Sequence, residues 1–104
     1  MANSVSGSSG AIISGEKTVA ATGTAEALLG TLGSLYKSLV IIAKVANTGQ
    51  VYVGGDDVAT STNDGLDAGD QLSIPYTPHG IDLGRIFLDV DTNGEGVDFY
   101  AVRG

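Results

Sequence analysis

Apolar positions along this chain recur with a period of two more often than with a helical period, in runs too short for long helices. The densest run is Ser38–Ala46, where Val40, Ile41, Ile42 and Val45 are β-branched and suit a pleated, half-buried surface. Gln50–Val53 follows, with Val51 and Val53 on one face and Tyr52 on the other. Asn47, Thr48 and Gly49 between them tolerate positive φ, so Ser38–Asp57 predicts a β-hairpin whose second strand ends at Gly54-Gly55. Upstream, Thr18, Ala20 and Thr22 alternate with Val19 and Ala21, which predicts a strand from Glu16 as far as Gly23. Thr24–Leu29 fits a helical turn or a second short strand equally well. Leu28–Lys37, interrupted by Gly30, Gly33 and Ser34, reads as a loop carrying Leu32, Leu35 and Tyr36 to the edge of the core.

Downstream of the predicted hairpin the chain is turn-rich, with Asn63-Asp64-Gly65 and Asp67-Ala68-Gly69-Asp70 as the strongest signals. Gln71–Ile74 is a short strand with Leu72 and Ile74 inward, and Pro75 and Pro78, bracketing Tyr76, bar a central strand there. Arg85–Val90 alternates, with Ile86, Leu88 and Val90 on one face and Arg85, Phe87 and Asp89 on the other. Thr92-Asn93-Gly94 reverses the chain as a hairpin turn, and Val97, Phe99 and Ala101 form a last inward face. The prediction is all-β: a small antiparallel β-sandwich or barrel of about six to eight short strands, jelly-roll or Ig-like. Met1–Gly10 carries four serines and two glycines without periodicity, which reads as a flexible segment. The expected layout is therefore an extended arm over residues 1–15 and a sandwich domain over 16–104. Val5, Ala11, Ile12 and Ile13 are the arm's candidate partner-binding residues, Ile12 and Ile13 forming a small apolar anchor.

At 104 residues the chain makes one domain that buries about two-thirds of its unfolded surface. It has no cysteine, which excludes disulfides, thiolate metal sites and thiol-dependent catalysis. No run of about 18 apolar residues exists and the first residues are uncharged, so neither a membrane span nor a signal peptide is expected. The formal charge of −7 is uneven: residues 1–50 carry three lysines against Glu16 and Glu26, whereas residues 51–104 carry two arginines against ten acids. Such a surface repels phosphate backbones, so nucleic acid is not an expected partner.

Candidate chemistry is sparse. Asp89-x-Asp91-x-Asn93-Gly94 has the opening spacing of a calcium-binding EF-hand loop, yet the twelfth position, which needs a bidentate Glu, is Tyr100. The flanks read as strands, where that loop requires helices. The single histidine, His79, follows Pro78 in a loop with no nucleophile motif nearby in sequence. The glycines form no phosphate-cradling pattern. Tyr36, Tyr52, Tyr76, Tyr100, Phe87 and Phe99 are too scattered for a stacking platform and suit cross-strand packing. Neither an enzyme nor a cofactor or metal site is expected.

From Ser38 onward the sequence resembles a small β-sandwich domain of tailed-bacteriophage virion proteins, notably head-decoration (cement) and head-fibre proteins. The resemblance rests on Leu39–Val58, Leu66–Ile74, Arg85–Val90 and Gly94–Val102, with ANTGQVYVGGDDV its most distinctive piece. Where related sequences often place a Leu-x-Pro-Gly-like turn, this chain has Asp67-Ala68-Gly69. The resemblance implies a capsid decoration protein on the outer surface of a phage head, stabilising contacts between capsomers. Its implied partners are the major capsid protein and neighbouring copies of itself in a homo-oligomer. A head-fibre, tail or receptor-binding module is the alternative it implies.

Overall fold

The structure, a computed structural model, describes residues 11–30, 35–61, 65–75 and 77–103. The predicted flexible segment Met1–Gly10 with its Val5, together with Leu32, Asn63-Asp64 and Tyr76, lies outside the described residues. Among those described, the chain forms nine strands, one 3-10 turn at Leu83–Arg85 and no α-helix. The strands are β1 (Ala11–Thr18), β2 (Glu26–Ala27), β3 (Leu35–Tyr36), β4 (Ser38–Ala43), β5 (Val51–Gly54), β6 (Gln71–Ile74), β7 (Ile81–Asp82), β8 (Phe87–Val90) and β9 (Gly96–Arg103). They assemble into antiparallel sheets of four strands (β1-β9-β4-β6), three (β2-β8-β5) and two (β3-β7). The all-β class expected from the two-residue period is what the chain adopts.

Among the described residues no strand pairs with its neighbour in sequence. The ladders are nested instead: β1 with β9, β2 with β8, β3 with β7 and β4 with β6, completed by β4 with β9 and β5 with β8. The predicted Ser38–Asp57 hairpin is therefore wrong, since β4 and β5 lie in different sheets. Nor does Thr92-Asn93-Gly94 close a hairpin, because it carries the chain from the three-stranded sheet to the four-stranded one. Both errors have one cause. A turn signal reports a change of direction, whereas pairing partners are chosen by which apolar faces close the core. Positive φ does occur at Gly94 and at Gly69, the latter inside the Asp67–Asp70 turn. Gly49 is not positive, and its role is space: a Cβ there would sit 2.7 Å from the Cβ of Asp91.

The core is shared by the sheets. Leu39, Ile41 and Ala43 of β4 and Val97, Phe99 and Ala101 of β9 meet Val51 of β5 and Leu88 and Val90 of β8, with Val19, Leu28, Tyr36 and Leu83 closing the ends. The predicted inward faces of β9 and β8 hold at Val97, Phe99, Ala101, Leu88 and Val90. Leu72 is an exception: it lies beside Ile41 in the register but stays 36% exposed, because β6 is an edge strand. The expected boundary at residue 15 falls inside β1, whose eight residues, from Ala11 on, all pair with β9. Gly15 sits opposite Phe99, where a side chain would collide with the ring. What reads as the end of a linker is thus a core-facing strand.

Candidate interaction face

Two regions each gather several polar or exposed apolar side chains; Leu35 and Val45, also exposed, stand apart from both. The first lies where β8 hands over to β9. Asp89, Asp91, Asn93 and Glu95 alternate along the chain, and each accepts a hydrogen bond from a backbone N–H of a loop that changes sheets. Asp89 accepts from Gly23 at 3.0 Å and Asn93 from Thr22 at 2.8 Å, fixing the β1–β2 connection. Asp91 accepts from Gln50 at 3.1 Å, and Glu95 accepts from Thr48 and Gly49 at 2.7 and 3.0 Å, fixing the β4–β5 connection. The N–H of Gly49, then that of Thr48, holds the Glu95 carboxyl below the ordinary carboxylate range.

The calcium-like spacing is explained by this arrangement. Its oxygens point in alternate directions toward two loops instead of converging, and among the described residues no three acidic or histidine side chains are placed to share a metal ion. Asp89 is 1% exposed, since the turn carrying Gly23 lies over it; its Oδ1 also accepts from the Val90 N–H, and its Oδ2 has no partner among the described residues. The Tyr52 hydroxyl donates to Asp91, so that tyrosine is buried as well.

The second region is the outer face of the four-stranded sheet. The register sets Ile12 beside Val102 and Ser38, Ser14 beside Tyr100 and Val40, and Glu16 beside Asp98 and Ile42. Ile12 is 67% exposed and Tyr100 49%, while Val40, Ile42 and Val102 are half-buried. An apolar stripe thus crosses the sheet on the side away from the core. At one end of it Lys44 bridges Asp98 at 2.8 Å and Glu16 at 2.6 Å, over an open cleft of about 380 Å³ that Ser14 and Tyr100 also line. The hydrogen bond to Asp98, then that to Glu16, raises the Lys44 ammonium above its ordinary range, so it stays charged at neutral pH.

The anchor residues expected from sequence separate here. Ile12 lies on the outer face, whereas Ile13 packs against the core; Ala11 pairs with Arg103 at the start of β1, and Val5 lies outside the described residues. The sequence reading missed Tyr100, Val102, Val40 and Ile42 as neighbours of Ile12. Their signal, the alternate positions of β4 and β9, was present but had no face assigned to it. His79 is exposed in the turn after Pro78. Of the aromatic residues, Tyr36, Tyr52 and Phe99 are buried, and Arg103 stacks its guanidinium 5.4 Å over Tyr36. No protein family, characterised protein or solved structure matches this chain.

Proposed function

We propose that this chain is a structural virion protein, a decoration (cement) protein that binds the outside of a phage head and stabilises contacts between capsomers. The observation that carries the reading is the uncovered apolar stripe Ile12–Val102–Tyr100–Val40–Ile42, on a sheet whose other face already supplies the core. Exposed apolar stripes rimmed by polar groups are what protein partners bury. The acidic residues of the loop-clamping region hold loops in place, a use that suits a rigid body. The nested strand pairing is that of one long hairpin rolled up, and on it we read the fold as a jelly-roll-type sandwich. The resemblance to phage head proteins selects the major capsid protein and neighbouring copies as partners, with no role for catalysis, a cofactor, nucleic acid or a membrane.

The test is cosedimentation of purified full-length protein with mature heads of the phage that encodes it. Saturable binding to the head exterior is expected, with DNA release moved to higher temperature. Protein that stays in the supernatant at every concentration would sink the reading.

A further inference from the structure

We infer that two copies of this chain pair through the free edge of β1, joining their four-stranded sheets into one continuous sheet of eight. The first ground is the direction of the backbone groups. Val19 donates its N–H to the Glu95 carbonyl at 2.9 Å, and bonded pairs alternate along an antiparallel ladder. Lys17, Gly15 and Ile13 therefore turn their backbones toward β9, and Glu16, Ser14 and Ile12 turn theirs away. On the β4 side, the Lys44 N–H donates to the Gly96 carbonyl at 3.1 Å, which places the even-numbered residues of β9 toward β4 and confirms the alternation. Among the described residues no strand takes up the outward groups of β1.

The second ground is that this edge lacks the usual protection. Natural edges are kept single by brevity, proline, bulges or exposed lysines. β1 runs eight residues in unbroken register and has no proline. Its two charges are engaged, Glu16 with Lys44 and Lys17 with Glu26 at 2.9 Å. Other edges differ: at the far side of the same sheet β6 is four residues and stops at Pro75, and in the three-stranded sheet β2 has only two residues.

Charge decides in favour of a second copy. The strands of this sheet carry Glu16 and Asp98 against Lys17 and Arg103, which leaves them neutral, so the formal charge of −7 lies on the rest of the chain. Net charge therefore does not oppose the approach of a second copy to this sheet. Antiparallel pairing about Ile13 sets Ile12 opposite the second copy's Ser14 and holds the two Glu16 residues about 20 Å apart. That is beyond the screening length of about 8 Å at physiological salt. A face-to-face dimer is the weaker geometry, because four strands offer only on the order of 400 Å² per copy where stable interfaces bury about 800 Å². Edge pairing does not draw on that face and relies instead on main-chain hydrogen bonds between the two β1 strands. It also leaves the apolar stripe open and doubles its length.

Sedimentation equilibrium of the full chain at physiological salt tests the pairing. The mass should rise from 10.5 kDa toward twice that value between about 5 and 200 µM. Ser14→Pro deletes an N–H that β9 does not use, and Ile12→Glu sets each new carboxylate within about a screening length of both the second copy's residue 12 and its Glu16, all of like charge. Both variants should remain at 10.5 kDa over the whole range, with thermal unfolding unchanged at the low end of it, where the wild type is also monomeric. If Ser14→Pro unfolds, Ile12→Glu decides alone, since Ile12 is already 67% exposed. A wild-type chain that stays monomeric, or a dimer that survives Ile12→Glu, would overturn the inference. Loss of head binding with the dimer intact would count against the decoration role only.

Discussion

The loop-clamping end and the outer face of the four-stranded sheet spend their polar residues in opposite ways. At the clamp, Asp89, Asp91, Asn93 and Glu95 are bound to backbone N–H groups, and even the outward-facing Tyr52 and Asp89 are covered. On the open face no loop crosses the stripe among the described residues, and Ile12 and Tyr100 stand in solvent. A chain whose strands never pair with their sequence neighbours must fix several sheet-changing loops, and loop N–H groups have no ladder to satisfy them. The clamp does that work. The difference teaches that acidity in this protein is largely architectural at one end, while the face whose strands carry no net charge is the one left uncovered.

The largest effect should come from Asp89. Asp89→Ala removes the acceptor of the Gly23 and Val90 N–H groups, and stranding a buried donor costs about 1–3 kcal/mol. A loss of about 3 kcal/mol in urea unfolding is expected on that basis. Asp89→Asn keeps one acceptor oxygen and removes a buried charge whose second oxygen has no partner among the described residues, so it should cost less than half as much. Equal losses for the two variants would show that the charge, and not the acceptor, holds the loop.

The contrast also explains what could be read before the structure was known. The all-β class and the inward residues of β8 and β9 were legible because a period of two survives wherever one face of a strand is buried. Pairing was not legible, since the Asn47–Gly49 and Asn93-Gly94 turns look local while their loops are held by side chains more than 40 positions away, such as Glu95 on Gly49. The clamp itself was visible only as a defective calcium motif. Its alternating oxygens carry a spacing, but a sequence does not say whether they converge. Similarly, Ile12 and Ile13 read as one apolar anchor until β1 was paired, after which adjacent residues necessarily faced opposite ways.

A smaller effect is expected from Glu95, and its sign is fixed. The carboxyl is held below the ordinary value of 4.5 by the Gly49 and Thr48 N–H groups, so its contribution is complete above that value and fades as pH falls through the lowered one. Glu95→Gln should therefore lower the urea midpoint at pH 7, and the gap from wild type should close as pH falls through the lowered range beneath 4.5. A gap that keeps its size from pH 7 to pH 3 would mean that the carboxylate charge contributes nothing to the clamp.

The smallest stability change should come from the open face, and there the comparison is sharpest. Ile12→Ser removes a side chain that is already 67% exposed, so its effect on unfolding at low protein concentration should stay within about 0.5 kcal/mol. Tyr100→Ser should cost little more, since the ring is half in solvent and its strand is held from both sides by β1 and β4. The same substitutions should weaken binding to phage heads by tenfold or more, because anchors buried at an interface are worth on the order of 2 kcal/mol each. Unfolding and head binding, measured on the same variants, separate a residue kept for the fold from one kept for a partner. If Ile12→Ser and Tyr100→Ser bind heads as well as the wild type does, the stripe is ordinary exposed surface and the partner docks elsewhere. If they destabilise the monomer as much as Asp89→Ala does, the face called open is covered in solution, and the contrast between the two regions fails.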